Sequence, residues 1–215
     1  MLGLSLPEII VNVATLFIAL PLHELAHAWT AVQLGDDSPR SMGRLTLNPL
    51  AHLDPLGSLM MVVAGFGWAK PVMVQPYRLR YGPRLGMMLV AVAGPFTNFV
   101  LALLAAIPFR LGLLQPTGSN AHPFLPSLEF FLTTFLILNL YLMLFNLIPI
   151  GPLDGLKVLR GLAPPEWERF LMPLEQYGSF ILLALIVLGR FGGNSLLSLI
   201  LNPPMLFLLR TILGL

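Results

Sequence analysis

Long apolar runs are the feature that most constrains what this chain can fold into. A bilayer core about 30 Å thick is crossed by roughly 20 helical residues, so long runs with few charges predict transmembrane helices. Hydrophobic residues make up 56% of the chain and charged residues only 10%, whereas a soluble domain carries about 25% charged residues. The sequence therefore predicts a protein embedded in lipid. Its candidate spans are residues 6–34, 85–114, 125–148, 171–188 and 196–213.

These spans predict an all-α polytopic membrane protein with about five to six transmembrane helices, organised as a single domain over residues 1–215. Pro203 and Pro204 are expected to kink or break the last span. The loop of residues 35–84 contains the segments "GRLTLNPL" and "KPVMVQPYRL", which predict short extended pieces that form β-hairpins or edge strands. Between them, "PLGSLMMVVAGFGWA" is too short to cross a bilayer and predicts a re-entrant element.

Basic residues are distributed unevenly among the connecting segments. Residues 35–84 contain six Lys or Arg and residues 151–170 contain three, whereas residues 112–124 contain none. Because short cytoplasmic loops are enriched in Lys and Arg, this pattern predicts an N-terminus outside the cell and a cytoplasmic C-terminus. The net charge of +2 is too small and too dispersed to favour a nucleic-acid partner.

The first span contains the pattern HELAH, in which His23, Glu24 and His27 interrupt an apolar helix. Residues four apart share one helix face, so the two imidazoles can bind one ion with the carboxylate beside them. Ionisable groups at membrane depth cost about 2.5 to 3.5 kcal/mol each on insertion scales, and a bound metal would offset that cost. This pattern predicts a zinc site with Glu24 as general base. The alternative is a set of buried, hydrogen-bonded side chains.

A tetrahedral zinc site of this kind needs a third protein ligand. The chain has no cysteine, so the ligand must be an imidazole or a carboxylate. Asp154 follows a helix interruption rich in proline and glycine, on the same predicted side of the membrane as the histidines. Its alternative role is that of an N-cap for the next short helix. The weaker candidates are Glu8, Glu129 and Glu175.

Together these motifs resemble the site-2 protease family of intramembrane zinc metalloproteases. That family joins HExxH on one helix to Asn-x-x-Pro…Leu-Asp-Gly on a later one, and both patterns occur here, at residues 23–27 and 146–155. The segments "NPLAHLDPLG" and "GWAKPV" make the resemblance strongest to small bacterial members that lack PDZ and CBS modules. The resemblance implies that one zinc ion per chain is bound by His23, His27 and Asp154, with Glu24 as the catalytic base.

Other residues carry this resemblance with less defined roles. "GPFTN" matches a family element whose asparagine, here Asn98, contacts substrate or an oxyanion, and Asn146 has a similar implied role. For both asparagines, a hydrogen bond between helices is the alternative. Gly151 stands where the family commonly has proline. His52 is either a group near the substrate or a solvated loop residue, and Trp68 and Lys70 are expected to be interfacial anchors.

The resemblance implies a protease that hydrolyses peptide bonds in transmembrane helices of membrane-protein substrates near the cytoplasmic face. The expected location is the inner membrane of a bacterium. The alternative is a metal-ion transporter, in which the same ligands would form a transit site. A transporter needs a series of weak sites across the bilayer, and the outer half of this chain offers few ionisable residues for that purpose.

Overall fold

The structure of the chain, a computed structural model, describes residues 5–54, 57, 70–120, 122–191 and 196–214. The described residues form eight α-helices, of which Ser38–Ser41 is a single turn. In chain order they are α1 (Leu6–Gln33), α2 (Ser38–Ser41), α3 (Gly82–Arg110), α4 (Leu128–Asn146), α5 (Asp154–Leu162), α6 (Glu168–Gln176), α7 (Gly178–Phe191) and α8 (Leu196–Leu213).

The predicted all-α membrane fold is confirmed, since the structure is 73% helical and no β-sheet forms among the residues that it describes. Helices α1, α3, α4 and α8 are long and apolar enough to cross a membrane. A fifth span would require α6 and α7 to act together, although they are bent by 57° relative to each other. The two prolines of α8 lie inside the helix and do not end it. The chain is thus an integral membrane protein, and the residues that the structure describes contain four or five candidate spans.

Helix α1 begins at a complete capping box. Ser5 accepts a hydrogen bond from the backbone N–H of Glu8, and the Glu8 carboxylate accepts one from the backbone N–H of Ser5. Pairing these N–H groups matters at a helix start, because the first turn has no internal acceptors for them. The contact accounts for Glu8, which lies at the end of α1 far from His23 and His27 and is not a ligand candidate.

Helix α3 is the centre of the bundle and packs against α1, α4 and α5. Alanines on α3 meet larger side chains of α4, and this cluster forms the main hydrophobic core. Small residues on one helix let its neighbour approach closely, which is the usual basis of packing between helices in membranes. The buried members of the cluster are Ala102, Ala105, Ala106, Phe135, Leu136, Leu140, Met143 and Met205.

The predicted hairpins of the 35–84 loop do not form in its described part. Its extended pieces are held by separate hydrogen bonds, including Lys70 N–H to His52 O at 2.8 Å and Arg80 N–H to Leu34 O at 2.8 Å. Proline interrupts both pieces and removes the regular N–H donors that a strand ladder requires. The predicted re-entrant segment and Trp68 lie outside the described residues, apart from Gly57, whereas Lys70 is exposed.

Both ends of the described chain lie on the same side of the bundle. Helix α1 is antiparallel to α3, so the Leu6 end of α1 lies near Arg110. At the other terminus, Gly214 also lies beside the guanidinium of Arg110. This arrangement differs from the expectation that the N- and C-termini lie on opposite sides, and the side of the membrane that each terminus faces stays a prediction.

The direction of α8 explains the difference from the charge-based expectation. Asn202, early in α8, accepts a hydrogen bond at 2.9 Å from Tyr141, near the Asn146 end of α4. Helix α8 therefore begins on the side of the bundle where α4 ends. Only residues 192–195 separate α7 from α8, and so few residues cannot cross a bilayer core about 30 Å thick. In this arrangement the bent pair of α6 and α7, which qualifies as a fifth span by length and composition alone, begins and ends on one side of the bundle.

Candidate metal centre

Helix α1 places His23, Glu24 and His27 in the interior of the bundle, where each side chain is buried. The histidines are one helical turn apart, and their rings meet edge to face with centroids 4.6 Å apart. The two Nε2 atoms are 3.0 Å apart. The predicted pairing of two imidazoles on one helix face is therefore present.

Asp154 reaches the same point from a separate part of the chain. It is the first residue of α5, and its Oδ2 atom lies 3.2 Å from Nε2 of His23 and 3.2 Å from Nε2 of His27. The N-cap of α5 is Leu153, which makes no side-chain cap. Asp154 therefore does not fill the alternative N-cap role. Its other oxygen, Oδ1, lies 3.7 Å from Nζ of Lys157, a contact that the sequence analysis did not anticipate.

Gly155 permits this approach of α5. A Cβ atom at this position would lie 2.2 Å from the backbone oxygen of Leu147, a distance that folded proteins do not tolerate. The chain from Leu147 to Leu153 can therefore fold back tightly before α5 begins. Glycine after the aspartate is a packing requirement, which explains this part of the Leu-Asp-Gly motif.

The three ligand atoms suit a cation. The three residues can offer ligand atoms that all lie within 4.8 Å of one another. Nδ1 of His27 lies 2.7 Å from the backbone oxygen of Val90, which can only accept, so Nδ1 carries the proton and Nε2 carries a lone pair. A lone pair from imidazole and a carboxylate oxygen thus converge in a buried place. Two imidazoles and one carboxylate, with one position left open, are the donor set of a catalytic zinc site.

Gly94 on α3 leaves the space that this cluster occupies. A Cβ atom there would lie 2.4 Å from Nε2 of His27 and 2.6 Å from Cε1 of His23. Any larger residue would therefore displace the imidazoles. The glycine of "GPFTN" is explained by this close approach between α3 and α1.

The two asparagines assigned by resemblance lie in different environments. Asn98 is 1% exposed, and its Oδ1 atom lies 2.6 Å from Nδ1 of His23. Asn146 is half-buried at the end of α4, where its Nδ2 donates to the backbone oxygen of Leu142 at 2.9 Å. Asn98 therefore makes the hydrogen bond between helices that was its alternative role, and it does so with a predicted metal ligand.

The remaining candidates lie apart from the cluster. Glu129 is in the first turn of α4, at the end opposite Asn146. Glu175 pairs with Arg160 at 2.9 Å on the outside of α5 and α6. His52 is fully buried, with Nε2 2.8 Å from the backbone oxygen of Thr46, so the expectation of a solvated loop histidine is wrong.

Comparison with protein-family models gives a match to peptidase family M50 over residues 11–188. The chain is 43% identical over 198 residues to the Bacillus subtilis protein named "Putative zinc metalloprotease YwhC", covering 87% of this chain and 89% of that protein. It is 33% identical over 181 residues to "Putative zinc metalloprotease Rip2" of Mycolicibacterium smegmatis, covering 83% of this chain and 67% of that protein. Comparison with solved structures gives no significant match.

The fold and the buried cluster define a membrane metalloprotease with two histidines and one aspartate at its centre. The chain belongs to peptidase family M50, the site-2 protease family, and is a zinc metalloprotease. The resemblance inferred from the motifs is therefore confirmed, as are zinc as the cofactor and a lipid environment for the protein.

Proposed function

We propose that this protein cleaves transmembrane helices of other membrane proteins near the cytoplasmic face, as in regulated intramembrane proteolysis. The observation that carries the proposal is the meeting of His23, His27 and Asp154 inside a bundle of membrane-spanning helices. A catalytic centre enclosed by spans at that depth can be reached laterally by a substrate helix. The catalytic domain is proposed to extend over residues 1–215.

The chemistry is proposed to follow from the positions of the buried side chains. His23, His27 and Asp154 would hold the zinc ion, which would supply Lewis-acid chemistry and so make water a nucleophile near neutral pH. Glu24 follows His23 directly and is 9% exposed, so it is placed to accept a proton from water and deliver it to the departing amine. Lys157 neutralises charge beside the second oxygen of Asp154.

Substrate binding requires local unwinding, because the carbonyl groups of a helix are already hydrogen-bonded within it. The extended pieces of the 35–84 loop offer backbone to an unwound substrate, and the exposed side chains of Leu47 and Met73 add apolar contacts. Asn146, half-buried at the end of α4, is proposed to contact substrate. The contacts of Asn98 favour a role in holding His23 over direct contact with substrate.

The orientation proposed here places the metal centre toward the cytoplasm of a bacterial inner membrane. The loops on that side, residues 35–84 and 151–170, contain most of the basic residues. The N-terminus then lies outside. Because Gly214 and the N-terminal end of α1 share one side of the bundle, the C-terminus is proposed to lie outside as well.

Glu24→Gln tests the proposal most economically. The full chain, purified in detergent and returned to vesicles, is incubated with single-span substrates whose helices are either weakened or stabilised near the cut. We expect the variant to keep about one zinc per chain while cleavage falls by at least about 10²-fold, the scale of general-base catalysis. Wild-type protein should cleave the weakened helix faster than the stabilised one.

Glu129→Gln is the matched control, since it makes the same change at the opposite end of the bundle. It should leave cleavage unchanged. Full cleavage activity in Glu24→Gln would contradict the proposed mechanism. Zinc flux across the vesicle membrane that does not require Glu24, without cleavage by the wild type, would instead establish the transporter alternative.

A further inference from the structure

A series of hydrogen-bonded, buried amides connects the metal centre to the backbone of α4. Nδ1 of His23 on α1 lies 2.6 Å from Oδ1 of Asn98 on α3. Nδ2 of Asn98 donates to Oδ1 of Asn139 on α4 at 3.1 Å. Nδ2 of Asn139 donates to the backbone oxygen of Phe135 at 2.9 Å. Three helices are thereby joined through side chains that water does not reach, since Asn98 is 1% exposed and Asn139 is 0% exposed.

The backbone carbonyl of Phe135, the last acceptor of the series, determines the direction of every hydrogen bond in it. The carbonyl of Phe135 has no hydrogen and can only accept, so Asn139 must present its NH₂ group to it. The carbonyl oxygen of Asn139 then faces Asn98 and requires the NH₂ group of Asn98. That leaves the oxygen of Asn98 facing His23. The proton of a neutral His23 must therefore be on Nδ1, which leaves a lone pair on Nε2, the atom 3.2 Å from Asp154 Oδ2.

In His27 the proton is also placed on Nδ1, but by a single hydrogen bond. Its Nδ1 donates directly to the backbone oxygen of Val90. At His23, a side-chain amide takes the place of that backbone carbonyl, and an amide can rotate by 180° to present a donor instead. An Asn98 amide in the rotated orientation would favour a proton on Nε2 of His23 and so remove a metal-binding lone pair. Something must hold the orientation of Asn98, and Asn139 is in contact with it.

We propose that Asn139 is a positioning residue for the metal centre, acting through Asn98 to keep Nε2 of His23 free of its proton. Its role is to offer an acceptor to Asn98 in the middle of α4, where no backbone group is free to do so. The inference rests on the proposed role of His23 as a zinc ligand. It assigns to Asn139 a function in zinc affinity that helix packing alone would not give.

The test compares two substitutions of Asn139 that differ in one property. Asn139→Leu is similar in size and removes the acceptor. Asn139→Asp keeps an oxygen acceptor toward Asn98 in either protonation state. Zinc affinity of the full chain is measured in detergent by competition with a chelator, and thermal stability is measured on the same samples. Partners that orient a ligating histidine typically change metal affinity by 10- to 100-fold when they are removed.

We expect Asn139→Leu to bind zinc about 10- to 100-fold more weakly and Asn139→Asp to bind it as tightly as the wild type or more tightly. This difference should hold even where the buried carboxyl of the Asp variant lowers its thermal stability further. Thr15→Val is the control for loss of a buried hydroxyl bond, because Thr15 is 1% exposed and donates to the backbone oxygen of Val11 at 2.7 Å. It should leave zinc affinity unchanged.

If Asn139 has a purely structural role, the variants should rank in zinc affinity as they rank in thermal stability. If zinc affinity follows thermal stability across the variants, or if Asn139→Leu binds zinc like the wild type, the proposal is wrong. Combining Asn98→Leu with Asn139→Leu sharpens the result, because two residues acting in series should give no more loss together than Asn98→Leu alone. Additive losses would contradict a series arrangement.

Failure of this inference can be separated from failure of the proposed function. His23→Ala measured in the same assay should lose zinc affinity by more than any Asn139 variant. If it does not, His23 is not a ligand and the proposed function fails. If it does, but the Asn139 variants do not differ, only the positioning role fails.

Discussion

Helices α3 and α8 have similar hydropathy but very different surroundings. The most apolar 18-residue stretch has a mean hydropathy of 2.0 in α3 and 1.7 in α8. Within the protein, however, 44% of the α3 stretch is buried and only 11% of the α8 stretch. Both contain internal prolines. Helix α3 supplies Gly94, Asn98 and the backbone oxygen of Val90 to the metal centre. Helix α8 instead packs Met205 into the main hydrophobic core. Hydropathy identifies a span but does not show whether it surrounds the chemistry.

The largest expected effect is at Gly94. Gly94→Ala places a methyl group 2.4 Å from Nε2 of His27, so the imidazoles must move away from Asp154. We expect zinc affinity to fall by at least about 100-fold, the upper end for disturbance of a ligating histidine. Chelator competition on purified protein measures the change.

Two control substitutions show whether a loss of zinc is specific to the position of Gly94 on α3. Gly118→Ala adds the same methyl group where nothing lies within 4 Å, and Leu206→Ala removes atoms from the exposed face of α8. Both should bind zinc like the wild type. A loss of zinc in Leu206→Ala equal to that in Gly94→Ala would show that α8 is as close to the chemistry as α3.

A smaller effect is expected at Arg84, near the start of α3. Its guanidinium donates to the backbone oxygens of Arg160 and Ala163 at the C-terminal end of α5, and Asp154 begins that helix. Arg84→Gln should lower the free energy of unfolding by about 1.5 to 3 kcal/mol, as expected for hydrogen bonds from a charged donor. Zinc affinity should fall with it, because α5 is less firmly held. Thermal unfolding in detergent provides the measurement.

Arg210, in the last turn of α8, is the matched position for Arg84. It is exposed, so Arg210→Gln should change stability by no more than about 0.5 kcal/mol. Equal destabilisation by the two substitutions would remove the distinction between a central and a peripheral helix.

The carboxylate of Asp36, in the loop that follows α1, should make the stability of the protein depend on pH. Burial raises the pKa of Asp36, but hydrogen bonds from Gln75 N–H and from Ser38 outweigh it and hold the pKa below its usual value. Its stabilising contribution is therefore complete above the unfolded pKa, near 3.9, and is lost as pH falls through the folded pKa. Asp36→Asn should be less stable than the wild type at pH 6, by about 1 kcal/mol for bonds of this kind.

Thermal unfolding of the two proteins between pH 6 and pH 3 tests this sign. The difference in stability between wild type and Asp36→Asn should shrink as pH falls. A difference that grows toward low pH would contradict the assignment of the ionised Asp36 as the anchor of this loop.

The smallest effect is expected where α8 meets α4. Tyr141→Phe removes the exposed hydrogen bond to Asn202 and should cost no more than about 0.5 to 1 kcal/mol of stability. Zinc affinity and cleavage should be unchanged. A loss of zinc on this substitution would show that the contact between α8 and α4 is coupled to the metal centre.

The sequence predicted the local parts of the site more fully than the distant ones. His23 and His27 are one helical turn apart, so periodicity alone pairs them. Asp154 was found through predicted depth and through a motif, and the structure places its carboxylate 3.2 Å from both rings. Asn139 was missed. Its signal was a polar residue in the middle of an apolar span, but its partner is 41 residues away and periodicity does not show which helices face each other.

The position of Gly214 beside Arg110, at the same end of the bundle as the start of α1, could not be predicted from charge. The rule for positive residues counts loops between assumed spans, and residues 171–188 were assumed to cross. The 57° bend between α6 and α7 and the contact of Gly214 with Arg110 are tertiary features. The burial of His52 also depends on tertiary packing. The local sequence around this histidine, which contains proline and leucine, does not show whether the loop is packed or solvated.

Zinc stoichiometry and affinity should be measured in the wild type, His23→Ala, His27→Ala and Asp154→Ala, to decide whether these three side chains bind one ion. We expect about one zinc per wild-type chain and a large loss of affinity in each variant, including Asp154→Ala, whose side chain comes from a different helix from the two histidines. Tight stoichiometric zinc binding in Asp154→Ala would contradict this expectation, because the ion would then be held without the ligand that joins α5 to α1.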